Sequence, residues 1–363
     1  MIGHRLNPEA ASRNANGMSK PLRIAILGAS GYTGADLVRL ALGHPELEIA
    51  ALAANSKAGQ TMAAIWPHMT PYDLPTLTTA EAIDYAAIDV VFGCLPHAAS
   101  ASLLSTIPDA TIIDLSADFR LKSAETYAQW YNVAHPAPHL LEGAVYGLSE
   151  FARDTLPGAR LVACPGCYPT AVLLALTPLL EAGVIGPERI TVNALSGVSG
   201  AGRSVKEANL FTEVAEAVHP YGLGHHRHMP EIEQQLGLAA GQLVTISFTP
   251  HLVPMNRGEL VTCIVELAPG RTLDSARDAL DGRYAGEPFV HLLPKGQAPA
   301  TRMVRGSNHC VMNVFADRVP GRLIVVAAID NLVKGSSGQA LQNMNLALGL
   351  PETMGLEAAP LFP

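Results

Sequence analysis

The sequence predicts an α/β protein of two domains, and three observations support this prediction. The chain has 363 residues, which is too long for one small core and suits two domains. Hydrophobic residues make up 48% of it and charged residues 15%, so it can bury sizeable cores. Near the N-terminus an apolar strand, a glycine-rich turn and an amphipathic helix follow one another, as in domains built on a parallel sheet.

Charge and hydropathy exclude several classes of function. The net charge is −8, from 24 basic and 32 acidic residues, and no run of five basic residues occurs. We therefore expect no nucleic-acid partner and no binding to an anionic membrane. No apolar run reaches the roughly 18 residues that a membrane span needs. The five cysteines, in a chain without a secretory signal, are expected to be free thiols in the cytoplasm.

Residues 1–19 are predicted to form a disordered tail. They are polar and contain no apolar core, so they do not resemble a secretory signal. Met18 lies just before the first predicted strand and is a plausible alternative start of translation.

The first predicted strand, residues 22–27, ends in a glycine turn that can bind a phosphate. Glycines allow the backbone to approach a ligand closely, and a helix N-terminus presents free N–H groups to an anion. The spacing GxxGxxG differs from the usual GxGxxG and also fits an ordinary tight turn. Interpreted as a Rossmann-like dinucleotide site, the turn supplies these cofactor contacts: Gly28, Ser30, Gly31, Tyr32, Thr33 and Gly34.

The end of the second predicted strand, residues 47–54, indicates NADP rather than NAD. A site for NAD has an acidic residue about 20 positions past the glycines, which binds the ribose 2′-hydroxyl. Here Asn55, Ser56 and Lys57 stand at that place. A carboxylate would repel a 2′-phosphate, whereas Lys57 would attract it. We predict NADP as the cofactor, bound through Ser56 and Lys57; a solvated turn lysine is the alternative.

Two further buried strands are predicted in "IDVVFGCLPH" and "ATIIDLSADFR". Cys94 lies inside the first apolar run and is interpreted as a core residue. His97 follows that run and either lines the cofactor cleft or belongs to a turn. The segment "DLSADFR", which ends at Arg120, is either an internally paired loop or a wall of the cleft.

Cys167, in "CPGCYPTAVLLALTP", is the main catalytic candidate. It follows a Pro-Gly turn and precedes an apolar helix, and a helix N-terminus lowers the pKa of a thiol. Three alternatives remain: a redox pair with Cys164, a zinc ligand, and a buried inert thiol. A redox pair predicts a small thioredoxin-like domain. Zinc needs about four ligands, and the spacing to the "HHRH" cluster is unusual, so we predict no metal.

A nucleophilic cysteine beside an NADP site indicates one type of reaction. Thiolate attack on an acyl carbon gives a thioester, which a hydride reduces to an aldehyde through a thiohemiacetal. The acid–base group for this reaction is sought in "GHHRHMPEIEQ", which contains His225, His226 and His228, with Glu231 one turn further on.

Two glycine-containing segments are predicted to bind an anionic substrate. The segment "NALSGVSGAGRSVKEANL" joins a predicted strand to the start of a helix. A phosphate or carboxylate could bind there to the backbone N–H groups and to the side chains of Ser196, Arg203 and Lys206. Arg257 lies between two strand-like runs and is a second candidate for a carboxylate, with a solvated turn arginine as the alternative.

The chain resembles the N-acetyl-gamma-glutamyl-phosphate reductase family from about Lys20 to Pro351. Six segments support the resemblance: "GYTGADLVRLA", "CPGCYPTA" with the following "LLALTP", "SGVSGAGR", "HRHMPEIEQ" and "IDNLVKGSSGQALQNMN". The family is similar to aspartate-semialdehyde dehydrogenase in fold and chemistry. It implies reduction of N-acetyl-gamma-glutamyl phosphate by NADPH to N-acetylglutamate 5-semialdehyde and phosphate, in arginine biosynthesis.

The resemblance also implies site residues and an architecture. Cys167 is the expected nucleophile and His228 the expected acid–base group, with His226 as the alternative. Glu231 is predicted separately as a substrate contact. Residues 20–163, completed by about 326–363, are expected to bind NADP, with Asn331 and Lys334 facing the nicotinamide. Residues 164–325 are expected to form an α+β substrate and oligomerisation domain with a mixed or antiparallel sheet, in a homodimer or homotetramer.

Two other functions remain open from the sequence. One is an aspartate-semialdehyde dehydrogenase or a related acyl-phosphate reductase, which uses the same chemistry on a different acyl group. The other is a non-enzymatic NADP-binding redox sensor, which would form a reversible disulfide between Cys164 and Cys167.

Overall fold

The computed structural model describes residues 20–361, and the tail predicted for residues 1–19 lies outside them. The N-terminal half of the described chain alternates strands and helices. Its strands are β1 (Leu22–Leu27), β2 (Leu47–Ala53), β3 (Val90–Gly93), β4 (Thr111–Asp114), β5 (Val145–Tyr146) and β6 (Leu161–Ala163). Its helices are α1 (Tyr32–Ala41), α2 (Met62–Ile65), α3 (Ser100–Leu104), α4 (Ala124–Tyr131) and α5 (Ser149–Ala152).

These six strands form one parallel sheet in the order β2-β1-β3-β4-β6-β5. The apolar runs of β1 and β3 are buried because helices cover both faces of such a sheet. The predicted strands 22–27 and 47–54 match β1 and β2 to within one residue. Cys94 lies differently from the prediction: it follows the end of β3, half-buried, at the carboxyl edge of the sheet.

The C-terminal half begins with a long helix and contains a second sheet. Its helices are α6 (Cys167–Glu181), α7 (Phe211–Val214), α8 (Met229–Ala240), α9 (Leu273–Tyr284) and α10 (Gly338–Ala347), with a π-helical turn at Val333–Ser337. Its strands are β7 (Ile190–Gly197), β8 (His219–Pro220), β9 (Ile246–Val253), β10 (Glu259–Glu266), β11 (Val290–Leu292), β12 (Cys310–Ala316) and β13 (Arg322–Ile329). Within residues 20–361, no helix combines the length and apolarity needed to cross a bilayer.

The second sheet is mixed, in the order β11-β12-β13-β10-β7-β9-β8. Its pairs are antiparallel except for β11 with β12 and β7 with β9. Helix α6 packs between this sheet and helices α8 and α9. It is buried on all sides from Tyr168 to Leu180, as expected for a helix without a polar face. The two-domain fold class predicted from the sequence is confirmed.

Helix α10 returns to the first half and packs against α1, α5 and β4. The residues leading into it include Lys334, which was expected to face the cofactor. That expectation is wrong, because Lys334 is fully buried and its Nζ lies 2.6 Å from Oε1 of Glu150. The amide oxygen of Gln342 accepts a second hydrogen bond from Nζ at 2.7 Å. A buried ammonium needs such partners, and they lie inside the core.

We predict that Lys334→Met lowers the free energy of unfolding by about 3–5 kcal/mol, because it leaves the Glu150 carboxylate buried without its partner. The control is Lys295→Met, which removes an ion pair with Asp274 whose side chains are 73% and 74% exposed. That change should cost less than about 1 kcal/mol. Urea denaturation measures both, and equal effects in the two variants would contradict the prediction.

Candidate functional site

Three adjoining cavities form a cleft between the two sheets. The Lys57 cavity, about 910 Å³, is lined by Gly28, Ser56 and Lys57. The glycine-turn cavity, about 330 Å³, is lined by Gly34, Cys167 and His228. The His226 cavity, about 540 Å³, is lined by the following residues among others: Cys167, Ser196, Lys206, His226 and His228. Gly31, Cys94 and Arg203 line both the first cavity and the second.

The glycine turn has the shape of a phosphate-binding cradle. Gly28 has φ +84°, and a Cβ placed on it would lie 2.2 Å from the carbonyl oxygen of Cys94. A Cβ on Gly34 would lie 2.4 Å from the carbonyl oxygen of Gly28. Gly31 is the N-cap of α1 and provides no side-chain cap, so the first N–H groups of the helix are available to an anion. These residues fit the pyrophosphate of a dinucleotide.

The far end of the Lys57 cavity fits the adenosine end of such a ligand. Asn55–Lys57 form a short helical turn directly after β2, and both Ser56 and Lys57 line the cavity. No carboxylate follows the strand, although Glu81 lines the same cavity from a neighbouring turn. The ammonium group of Lys57 therefore lies at the end of the cavity where the sequence predicted that the 2′-phosphate binds.

Cys167 is the first residue of α6 and lines both of the smaller cavities. Its loop is fixed by the N–H of Gly166, which donates to Oε1 of Glu231 at 2.9 Å. The predicted low pKa of Cys167 is wrong for this state of the protein. Burial raises the pKa of the thiol well above its usual value, and the nearby Glu259 carboxyl raises it further. These two effects outweigh the helix N-terminus.

His228 is the histidine of the cluster that lies beside Cys167 in both cavities. A Cβ on Gly166 would lie 2.4 Å from its Nε2, so the imidazole packs directly on the cysteine loop. Its Nδ1 is buried and has no hydrogen-bond partner among the described residues. Burial, with His226 and Arg120 nearby, lowers the pKa of His228 well below its usual value. The ring is therefore neutral near pH 7.

The other two histidines of the cluster lie further out. His226 lines only the third of the three cavities, and its Nδ1 accepts a hydrogen bond from the N–H of His228 at 3.2 Å. Burial lowers the pKa of His226 to about 4. His225 is exposed and stacks on Trp130 with ring centroids 4.6 Å apart.

The predicted anion-binding residues divide between the two ends of the cleft. Ser196 and Lys206 line the His226 cavity. Arg203 instead donates to the carbonyl oxygen of Ser30 at 3.1 Å, which places its guanidinium at the glycine turn. Asn331 lines the glycine-turn cavity, where its amide accepts from the N–H of Gly258 at 2.8 Å.

Arg257 and Glu231 have structural partners that the sequence did not indicate. The guanidinium of Arg257 lies 2.6 Å from Asp36 and 3.6 Å from Asp330, so two carboxylates already neutralise it. Glu231 is 1% exposed and lies beneath the cysteine loop rather than in a cavity. This burial disagrees with a substrate contact, because its oxygens already accept from Gly166 and other protein donors.

Comparison with known proteins identifies the family. Residues 23–159 match the family described as "Semialdehyde dehydrogenase, NAD binding domain", and residues 167–331 match "Semialdehyde dehydrogenase, dimerisation domain". The N-acetyl-gamma-glutamyl-phosphate reductase of Rhodospirillum rubrum is 53% identical over 352 residues, which cover 95% of this chain and 100% of that protein. The chain belongs to the N-acetyl-gamma-glutamyl-phosphate reductase family.

Relatives of this reductase family extend to plants. A protein of Oryza sativa subsp. japonica named "Probable N-acetyl-gamma-glutamyl-phosphate reductase, chloroplastic" is 52% identical over 94% of this chain and 83% of its own length. Among solved structures, aspartate semialdehyde dehydrogenase II of Vibrio cholerae in complex with ASA has a TM-score of 0.68 and 16% identity. That match covers 90% of this chain and 98% of the other, and it supports the fold.

Two residues near Cys167 were missed or left undecided by the sequence. Arg120 is buried, lines the glycine-turn cavity and donates to the carbonyl oxygen of Cys164 at 2.7 Å. In the same segment Asp118 accepts from Tyr127 at 2.8 Å, so "DLSADFR" is both a paired loop and a cleft wall. Glu259 is fully buried beside Cys167. A charged residue opening the apolar strand "ELVTCIVEL" was the available sequence signal.

The two cysteines of the motif lie in different cores. Both are free thiols. Cys164 is 1% exposed in the core of the first half, and burial raises its pKa to about 12. Cys167 packs against the core of the second half. This separation does not favour a redox pair, since an exchangeable disulfide needs an accessible thiolate.

Proposed function

We propose that the chain reduces N-acetyl-gamma-glutamyl phosphate with NADPH to N-acetylglutamate 5-semialdehyde and phosphate, a step of arginine biosynthesis. It is an NADP-dependent oxidoreductase of the semialdehyde dehydrogenase type. The observation on which this depends is that Cys167 and His228 line both the glycine-turn cavity and the His226 cavity. A nucleophile and an acid–base group thus lie where a cofactor site and a substrate site meet.

The residues of the cleft support a thioester mechanism. Sγ of Cys167 attacks the acyl carbon, and the phosphate leaves with the electron pair of the broken C–O bond. Bound NADPH would supply the hydride that reduces the thioester. His228 transfers a proton to and from the oxygen of the reacting carbon. Its lowered pKa makes the imidazolium a stronger acid than an ordinary histidine once it is protonated.

The cofactor contacts are proposed for the glycine turn from Gly28 to Gly34, with Ser56 and Lys57 at the 2′-phosphate and Asn331 near the nicotinamide. Ser196 and Lys206 are proposed to bind the substrate in the His226 cavity, and Arg203 to close over the glycine turn. We do not assign Glu231 or Arg257 to the substrate. The Glu231 carboxyl group already accepts a hydrogen bond from Gly166, and the Arg257 guanidinium already forms an ion pair with Asp36.

We propose that residues 20–164 and the C-terminal segment form the cofactor domain, with the first boundary one residue later than predicted because Cys164 lies in the first core, and that the substrate domain follows. The whole of β13 lies in the second sheet, so we place the second boundary after Ile329 rather than after residue 325. The match to a dimerisation domain supports an oligomer. A homodimer or homotetramer in the cytoplasm is the form we propose.

Turnover in the reverse direction tests the function directly. The protein, supplied with N-acetylglutamate 5-semialdehyde, phosphate and NADP, should form NADPH, which is followed by its absorbance. Aspartate semialdehyde under the same conditions should be a much poorer substrate. Equal or greater activity with aspartate semialdehyde would overturn the substrate assignment while leaving the thioester mechanism in place.

Replacing the nucleophile should abolish turnover without loss of the cofactor. We expect Cys167→Ser to have no measurable activity and near-normal NADPH affinity, since the glycine turn lies on the other domain. Cys164→Ser, the matched control three residues earlier, should retain most activity. If both variants are equally inactive, the redox-pair hypothesis gains support over the nucleophile.

Removing the proposed acid–base group should slow the reaction and leave Cys167 able to react. We expect His228→Asn to lower kcat by about 10²–10⁴-fold, which is the usual contribution of general acid–base catalysis. The thioester should then accumulate and appear as an added mass on the intact protein. His226→Asn should have a milder effect. The opposite order would mean that the two histidines exchange roles.

The cofactor preference should depend on the charge at residue 57. Lys57→Glu is expected to weaken NADPH binding by about ten- to a hundredfold and NADH binding far less, because a charge-assisted contact contributes about 1.5–3 kcal/mol. Lys295→Glu makes the same charge change at an exposed position of the second half and should affect neither cofactor. Fluorescence titration gives both affinities, and equal losses for the two cofactors would contradict the assignment.

A further inference from the structure

Glu259 is a buried carboxyl group without a hydrogen-bond partner. It is the first residue of β10, lies between Ser196 of β7 and Ile329 of β13 in the sheet, and is 0% exposed. Neither of its carboxyl oxygens accepts or donates a well-aligned hydrogen bond among the described residues. Burying such a group without a partner is costly, and buried unpaired polar groups are rare in folded proteins.

The Cys167 thiol is the group that interacts with this carboxyl. The two groups interact electrostatically, and Ser196, which pairs with Glu259 on the neighbouring strand β7, lines the His226 cavity together with Cys167. Gly335 lies against both Cys167 and Ile329, because a Cβ there would lie 2.7 Å from Cβ of Cys167 and 3.2 Å from Cδ1 of Ile329. Because Ile329 is the register partner of Glu259 on β13, this places Cys167 near the strand pair that contains Glu259.

The other titratable groups facing Glu259 are all neutral. They are the phenols of Tyr168 and Tyr221, whose oxygens lie 3.0 Å apart, and the buried thiol of Cys310. Burial and the Cys167 thiol are the two influences that shift the pKa of this carboxyl. The reactive group that interacts with Glu259 is therefore the Cys167 sulfur, which attacks the substrate.

We propose that Glu259 is a catalytic residue, the proton acceptor that converts the Cys167 thiol to a thiolate. This proposal rests on the nucleophilic role of Cys167. The S–H bond breaks and its proton moves to a carboxylate oxygen of Glu259 while Sγ forms a bond to the acyl carbon. The C–O bond to phosphate breaks, and the leaving oxygen keeps the electron pair and takes a proton from solvent.

The same proton completes the cycle. After reduction, the tetrahedral alkoxide on Cys167 collapses to the aldehyde, and the C–S bond breaks with its electron pair on Sγ. The Glu259 carboxylic acid then returns its proton to the thiolate. The active site regenerates the thiol without taking a proton from outside, while His228 serves the oxygen of the reacting carbon.

This role determines a pH dependence. Burial raises the pKa of Glu259 to about 8, an effect that the interaction with Cys167 partly offsets. The carboxyl is protonated below that pH and becomes a proton acceptor above it. The rate at which Cys167 reacts should therefore rise as the pH increases through about 8, far above the range of an ordinary carboxyl group.

Alkylation of Cys167 by iodoacetamide, without substrate or cofactor, tests the proposal. The full-length protein is compared with Glu259→Gln and Glu259→Asp, and with Glu266→Gln at the other end of β10 as the control. We expect Glu259→Gln to slow alkylation at pH 8.5 by at least tenfold and to move the rise in rate to higher pH. Glu259→Asp should keep the rise near pH 8 at a lower rate, and Glu266→Gln should match the unsubstituted protein.

The opposite result has a clear physical meaning. If Glu259→Gln alkylates faster or equally fast, the carboxylate only repels the thiolate or has no role, and the proposal is overturned. If the Gln variant does not fold, infrared titration of the unsubstituted protein decides. The band of a protonated carboxyl should disappear with the same midpoint as the rise in alkylation, and different midpoints overturn the proposal.

This experiment separates the proposal from the proposed function. It uses no acyl phosphate and no NADPH, so an error in the substrate or cofactor leaves its outcome unchanged. A failure of the nucleophilic role itself would appear instead in the turnover of Cys167→Ser.

Discussion

The arrangement of the cleft depends on the buried carboxylate of Glu231. Its Oε1 accepts from the N–H of Gly166 and from the hydroxyl of Tyr146, each at 2.9 Å, and its Oε2 lies 3.3 Å from Arg120. Gly166 directly precedes Cys167, and His228 lies three residues before Glu231 at the start of α8. One side chain thus fixes the loop that precedes Cys167 against the helix that follows His228. Arg120 also connects Glu231 to the first domain, because Arg120 lies in the segment that follows strand β4 of the first sheet.

A second group of buried charges holds the two domains together. Arg257, between β9 and β10, contacts Asp36 of α1 and Asp330 after β13. Burial alone would raise the pKa of Asp36, but Arg257 and Arg39 outweigh it and lower that pKa. The hydroxyl of Ser337 donates to the same carboxylate at 2.6 Å. These contacts span the cleft beside the glycine turn, so they limit how far the cofactor side can move from Cys167.

The sequence predicted the local features well and the long-range partners poorly. The strand and glycine turn up to Gly34 and the helix that begins at Cys167 follow from hydrophobic periodicity and turn chemistry, which depend on neighbours along the chain. The sequence analysis interpreted Arg257, Glu231 and Lys334 as ligand contacts. Their partners, Asp36, Gly166 and Glu150, come from distant segments and were available only in the fold. The raised pKa of Cys167 was missed for the same reason, since Glu259 lies 92 positions later in the chain.

The return of α10 to the first domain affects the order of folding during synthesis. Residues 338–347 pack against α1, α5 and β4, and Ala340, Leu341 and Met344 belong to the same hydrophobic core as β1 and β3. Domains of a growing chain generally fold in order from the N-terminus. Here the N-terminal domain has an incomplete core until nearly the whole protein has left the ribosome. The second sheet, β7 to β13, comes later in the chain but lies within one continuous segment, so all of its strands have been synthesised before α10.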